Sequence, residues 1–318
     1  MNDKHLHTIP KVGSAAYKRF IKTEVEQYAE TYSDGLKEKV PPSWDKVERH
    51  FKEQIERKTG FYGFAEYVAD CARKKKKISI YSIGSGACGV EIEDIAPLLK
   101  KYKVEYTFLC TDINPIILKK AEAEAKKRGV NLKTKVVDAN LLKLPENEYD
   151  IIIAYASLHH FIDLESVTKE INKALKHDGF FVTVDIPTRN GFMMWEATYA
   201  LVRILWMILP PKYRISHTRS HKPVYVMWLD NMNYGQVSFE CIHSESVIPS
   251  LRKNLIEVEY VPALSIMRRF FDTQYGPNYN FRRRLDRCIF KAIRLLDTCM
   301  IDTGLLKPET FFGSYKKR

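Results

Sequence analysis

The sequence predicts an α/β fold in which a mostly parallel sheet is covered by helices, and three observations carry that expectation. From Ile78 onward, short β-branched runs alternate with helical patterns, the texture of parallel strands joined by crossover helices. A glycine-rich turn, Ser82-Ile83-Gly84-Ser85-Gly86-Ala87-Cys88-Gly89, follows directly on the first run. The second and third runs end in Asp112 and Asp138, at the strand ends where open parallel sheets hold their ligands.

Taken in order, the first seventy-odd residues read as helices. KRFIKTEVEQYAETY and WDKVERHFKEQIERKTG repeat apolar and aromatic residues at three- and four-residue intervals, with Pro41-Pro42 between them. The predicted strands are ISIYSI, VEYTFLCTD, LKTKVVD, YDIIIAYA and GFFVTVDI. The helix between the second and third has Asn114 as cap, Pro115 at its first position and Gly129 as stop. LESVTKEINKALK, before the fifth strand, sets Val167, Ile171 and Leu175 on one face. After Ile186 the alternation is lost for about fifty residues, longer than an ordinary connection, and this stretch reads as an inserted cap. SESVIPSLRKN and LIEVEYV then form one more helix and strand, and KPETFFGSY returns as an edge strand after a helical insert. The expected organisation is a helical extension over 1–75, a ligand-binding core over 76–187, a cap or lid over 188–243, and a completion of the core over 244–318.

Composition sets the bounds. A chain of 318 residues that is 45% hydrophobic can bury a large core. Its 51 Lys and Arg against 39 Asp and Glu give a net charge of +12. That balance permits an acidic partner without requiring one, because the basic bursts sit mostly beside predicted helix ends. The six cysteines are scattered, with no C-x-x-C pair and no histidine at metal-ligand spacing. Reduced thiols in a cytoplasmic protein are expected, with no resident metal. The N-terminus lacks the apolar core and cleavage site of a signal peptide.

The glycine turn poses the functional question. A nucleoside triphosphate loop needs a Lys-Ser/Thr after its last glycine, whereas Val90-Glu91 follows Gly89 here. Glu91 and Glu93 also crowd the helix start with negative charge, which disfavours a dinucleotide pyrophosphate. Asp112 is placed to accept hydrogen bonds from ribose hydroxyls, and Asp138 from an adenine amine. YDIIIAYASLHHF is an apolar strand that empties into small residues and the His159-His160 pair.

SIGSGACG, CTDINP, VVDAN, YDIIIAYASLHHF and LKHDGFFVTVD, in this order and spacing, resemble the class I S-adenosylmethionine-dependent methyltransferases, in particular their small-molecule group. The resemblance covers about Ile78 to Ile186, with a weaker echo from Ser244 to Val261. It implies a Rossmann-like, seven-stranded, mostly parallel sheet and S-adenosylmethionine as cofactor. Ser82, Gly84, Ser85 and Gly86 would then meet the methionine and ribose portions, and Asp112 the ribose hydroxyls. Ile113 would stack on adenine, Asp138 and Ala139 would meet its amine edge, and Ala154 to Ala156 would floor the site near the methyl group. Two positions depart from the family pattern. Ser82 stands where an acidic residue is usual, so another carboxylate must help near the methionine ammonium. Cys88 stands where a third glycine is usual, with Gly89 one place late, and Cys88 is expected to pass the cofactor without a positive φ.

Methyl transfer from a sulfonium needs alignment and exclusion of water, and a base only for some acceptors. His159 and His160, just past the fourth strand, are the candidate catalytic residues, set against a capping or packing role. Asp185 and Arg189 are candidates for the acceptor rim. In FMMWEATYALVRILWMIL the interruptions Glu196 and Arg203 leave an otherwise apolar helix. It is either core, a dimer interface, or a lid whose Trp195 and Tyr199 touch a lipid-like acceptor beside a membrane surface. His217, Arg219, His221 and Lys222 follow in a polar loop. The acceptor is expected to be a small, lipid-like or glycan molecule. A nucleic acid is disfavoured, since Ala154-Tyr155-Ala156-Ser157 replaces the tetrad that grips a flipped base. A protein, peptide or RNA acceptor, or a module that binds the cofactor without turnover, stands as the alternative, and the oligomeric state is left open.

Overall fold

The computed structural model describes residues 9–33, 35–37, 40–218 and 222–318. Arg219 and His221 of the expected polar loop lie outside the described residues. Three helices come first: α1 (Ala15–Thr31), α2 (Pro42–Thr59) and α3 (Gly63–Ala72). Ser14 caps α1 by accepting from the Tyr17 amide, and Gly60 ends α2 in the left-handed conformation.

The alternating region then lays down β1 (Lys77–Ile83), α4 (Ala96–Lys101), β2 (Glu105–Asp112), α5 (Pro115–Lys127), β3 (Leu132–Val136), β4 (Tyr149–Tyr155), α6 (Leu164–Ala174) and β5 (Leu175–Asp185). Next come α7 (Glu196–Ile208), a two-stranded ribbon of β6 (Ile215–Ser216) and β7 (Val224–Tyr225), α8 (Val247–Asn254) and β8 (Leu255–Ala263). The chain closes with α9 (Ile266–Phe271), α10 (Arg284–Asp302) and β9 (Thr310–Lys317).

Seven strands form one sheet in the order β3-β2-β1-β4-β5-β9-β8. The first five are parallel, and β9 runs antiparallel to both neighbours. This is the Rossmann-like α/β sheet that the sequence predicts. Strand alternation sends Ile78 and Ile80 to one face with Val68, Leu99 and Leu118. Ile83, Ile152 and Tyr315 go to the other, against Val167, Ile171 and Leu251. Strand order reverses between β1 and β4, so the carboxyl ends of those two strands open a crevice.

One expectation about the sheet is corrected. The C-terminal strand, expected at the edge, lies inside the sheet between β5 and β8. Phe311, Phe312, Ser314 and Tyr315 are all buried, so successive side chains need cover on both faces. The outer position falls to β8, where Ile256 and Val258 stay exposed.

Within the stretch expected to form a cap or lid, α7 packs one stripe into the core. α7 buries Thr198, Val202 and Trp206, one stripe at four-residue spacing. Trp206 is 1% exposed and packs against Phe270 and Tyr275. Its indole N–H donates to the Val226 carbonyl at 3.3 Å. Among the described residues no helix is long and apolar enough to cross a membrane. Trp206→Ala should therefore cost on the order of 3–5 kcal/mol in chemical denaturation, while titration of the folded variant with S-adenosylhomocysteine gives the wild-type affinity.

Candidate active site

A cavity of about 1710 Å³ lies at the carboxyl ends of β1, β2, β4 and β5. Pockets for one drug-sized ligand run to about 300–1,000 Å³, so this space holds a nucleoside-sized ligand and a second molecule together. Its walls are acidic: Glu24, Glu91, Asp112, Asp138 and Glu240 face it.

The glycine turn forms one wall. Gly84 and Gly86 have φ of 60° and 55°, a region that costs a side chain 1–2 kcal/mol or so. Gly84 has a second reason to be glycine, because a Cβ there would sit 2.6 Å from the Ser157 Cβ. Cys88 also has a positive φ, 56°, which corrects the expectation that it would pass without one. The late glycine serves a different neighbour. A Cβ on Gly89 would fall 2.5 Å from the Leu36 carbonyl oxygen, so the close approach there is to the chain itself.

Ser82 is 1% exposed and lies beneath the cavity wall. Its hydroxyl donates to Glu91 Oε1 at 2.5 Å. Glu91 sits on a π-helical turn, Val90–Ile95, that precedes α4. Pro97 cannot donate an amide to the carbonyl of Glu93, which favours the wider winding there. Glu91 is 2% exposed, lines the cavity, and its Oε2 has no hydrogen-bond partner among the described residues. Burial pushes its pKa up to about 7. The carboxylate missing at Ser82 is thus present nine residues later, in contact with the serine. Only the wide helical turn brings it there, and no local signal in the sequence marks that turn apart from the proline.

Asp112 closes β2 with both oxygens engaged. Oδ2 accepts from the Gly86 amide at 2.8 Å and Oδ1 from the Asn114 amide at 2.9 Å. Burial raises its pKa while these two amides act against the rise. Ser85, Ile113 and Ala139 line the same wall. Asp138 accepts the Tyr17 hydroxyl on both oxygens at 2.8 Å. Tyr17 belongs to α1, and so do the wall residues Glu24, Gln27 and Tyr28. The side chain of Asn114 fastens α1 by donating to the Val25 carbonyl at 2.9 Å. α1 thus covers one side of this cavity, and the sequence marks α1 only as an amphipathic helix.

Past β4 the chain turns sharply, with Ala156 at φ 52°. Ala156 lines the cavity, whereas Ala154 is fully buried beneath it. Asp185, at the end of β5, is 0% exposed and accepts the amides of Ser157, Leu158 and Ile186 at 3.1, 2.7 and 2.7 Å. It also takes His159 Nδ1 at 2.7 Å. Burial works to raise its pKa, but His159 and these amides hold it below the ordinary value. Asp185 lines the cavity, as expected of a rim residue, and with its oxygens so occupied it anchors His159.

His159 Nε2 and His160 Nε2 lie 4.0 and 3.9 Å from the two oxygens of Glu240. Burial acts against protonation of His160, yet Glu24, 3.1 Å from its Nδ1, and Glu240 raise its pKa to about 9. Glu240 is separated from the histidines by some eighty residues and is invisible to motif reading. Three of the expected acceptor residues are placed elsewhere. Arg189 pairs with Met193 through the backbone, Trp195 lies under Lys307, and the Tyr199 hydroxyl reaches the Leu229 carbonyl. None of them lines the cavity, while their neighbour Phe192 does.

Residues 83–183 match the family model described as methyltransferase domain. The chain carries a methyltransferase domain. The buried, unpartnered Glu91 oxygen and the acidic walls fit a cofactor that carries an ammonium and a sulfonium, as S-adenosylmethionine does. The chain is 35% identical over 66 residues to the uncharacterized methyltransferase YcgJ of Bacillus subtilis, a stretch of 20% of this chain and 26% of that protein. It is 27% identical over 168 residues to the non-reducing polyketide synthase sorB of Penicillium rubens, 50% of this chain and 6% of the synthase. The matches thus span about a quarter or less of these relatives. Among solved structures, the [4+2]-cyclase SpnF superposes with a TM-score of 0.51 at 13% identity, over 97% of this chain and 98% of that one. The last likeness is one of fold.

Two outcomes follow for the methyltransferase domain. Asp112→Ala should weaken S-adenosylhomocysteine binding by roughly 1.5–3 kcal/mol in calorimetry, the range for a charged hydrogen-bond partner. For Glu91 the effect is on stability. The folded, cofactor-free chain keeps a proton on Glu91 that the unfolded chain releases near pH 4.5, so this group makes stability fall as pH rises from 4.5 to about 7. Melting curves across that window should diverge, with Glu91→Gln gaining on the wild type up to pH 7 and holding a constant lead above it.

Proposed function

We propose that this protein transfers a methyl group from S-adenosylmethionine to a small-molecule acceptor that enters beside His159, His160 and Glu240. The observation that carries the proposal is the cavity itself. It joins the glycine turn and Asp112 on one side to a carboxylate-anchored histidine on the other, with room for two ligands.

S-adenosylmethionine supplies the electrophilic methyl group. Gly84 and Gly86 let the backbone approach the cofactor, Asp112 accepts its ribose hydroxyls, and Ile113 and Ala139 flank the adenine. Asp138 serves the adenine edge with Tyr17, whose hydroxyl it already binds. Glu91 receives the ammonium in place of the acidic residue that Ser82 replaces. α1 lies over the cavity and excludes water, which strengthens every charge interaction inside it.

The proton chemistry falls to His159. Asp185 holds the ring by accepting from Nδ1–H, which leaves Nε2 as the nitrogen turned toward the cavity. This nitrogen removes the proton of an acceptor hydroxyl or ammonium as the new bond to the methyl carbon forms. The electron pair of the breaking carbon–sulfur bond stays on sulfur. The acidic wall opposes an anionic acceptor such as a nucleic acid, despite the basic charge of the whole chain.

Calorimetry tests the cofactor half: S-adenosylhomocysteine binds, and NAD and ATP do not. Labelled S-adenosylmethionine with fractionated lysate tests the other half, with label expected in small-molecule or lipid fractions. Label confined to RNA or protein would overturn the acceptor class, and no label in any fraction would favour a binding module. His159→Ala should lower the transfer rate by about 10²–10⁴-fold with cofactor affinity unchanged.

A further inference from the structure

Half of the large apolar side chains exposed among the described residues fall within residues 204–237, about a tenth of the chain. The outward face of α7 contributes Ile204, Met207 and Ile208, the last 73% exposed. The segment around β7 contributes Tyr225, Met227 and Trp228. Two arginines join the two sets into one face. The Arg203 guanidinium lies 5.9 Å from the Trp228 ring centre. Arg214 donates to the Met207 carbonyl at 2.9 Å and to the Tyr225 hydroxyl at 3.4 Å. Arg203 and Lys222 are exposed beside this face, as is Lys212, which pairs with Asp286 at 3.5 Å, and Arg214 lies within it, against Glu196 and Asp230.

We propose that this face docks on an anionic lipid bilayer. An apolar strip with an aromatic ring and a basic rim is what an interfacial segment offers: side chains enter the acyl boundary while Lys and Arg meet lipid phosphates. A second copy of the chain fits less well. A symmetric pair sets the same patch against itself and brings the two basic rims together, whereas a bilayer supplies the opposite charge. The strip was free to be buried like the other stripe of α7, which packs Val202 and Trp206, yet it faces outward.

The chain segment that carries the docking face also reaches the cavity. His217, Thr218 and Tyr234, from the same segment, line the cavity wall. Resting on the proposed methyl transfer, this connection assigns a lipid-borne acceptor, taken from the bilayer surface rather than from solution.

Sedimentation with vesicles tests the proposal on the full chain. Phosphatidylcholine vesicles containing phosphatidylglycerol should carry the protein down, those of phosphatidylcholine alone should carry much less, and added salt should release it. The double variant Met207→Glu/Ile208→Glu should lower the bound fraction at least about tenfold. Arg203→Gln and Lys222→Gln should each lower affinity roughly fivefold, the equivalent of about 1 kcal/mol per charge. These side chains are exposed and outside the cavity, so melting temperature and S-adenosylhomocysteine affinity stay at wild-type values and report that each variant is folded. Absence of binding to either vesicle, or binding unchanged in the double variant, overturns the proposal. So does a wild-type dimer in analytical ultracentrifugation that the double variant converts to monomer. Failure of the methyl-transfer proposal is read separately, as loss of cofactor binding with vesicle binding intact.

Discussion

A single buried carboxylate, Asp185, fixes the centre of this molecule. A carboxylate with no exposure is expensive to bury unless its oxygens are paired, and here the segments that follow β4 and β5 supply the donors. The amides of Ser157, Leu158 and Ile186 and the ring of His159 all converge on it. The consequences spread outward through contact. Ser157, held by Asp185, donates its hydroxyl to the Ile83 carbonyl at 2.9 Å and lies so close to residue 84 that only glycine fits. The glycine turn, the loop after β4 and the orientation of His159 are therefore parts of one packed unit.

The charge distribution separates two properties that the totals merge. The chain as a whole is basic, while its cavity is walled by carboxylates held at the strand ends and on α1. Carboxylates gathered there favour cations, and the proposed cofactor is one. The basic excess is left to the surface, where part of it rims the outward apolar face of α7. Opposite charges thus gather inside the cavity and on the outer surface, and neither is visible in the net value of +12.

The two departures from the family pattern have local physical causes. At Ser82 a carboxylate is still at hand, because Glu91, carried on a wider helical turn, accepts the serine hydroxyl. The late Gly89 answers to Leu36, from the segment after α1, whose carbonyl leaves no room for a side chain. The second belongs to the way the N-terminal segment closes over the glycine turn.

The sequence by itself determined the α/β class, the five parallel strands and the wall formed by Gly84, Gly86 and Asp112. These are local properties: strand alternation, turn chemistry and a residue at a strand end are all written within a few positions. Tertiary structure decided what depends on distant segments meeting. It set β9 inside the sheet because Phe311 and Phe312 need cover on both faces. It laid α1 over one side of the cavity and turned α7 outward, because an amphipathic pattern states that a helix has an apolar side but not which surface receives it. It brought Glu240 to His159 and His160 across some eighty residues, a distance that only folding closes.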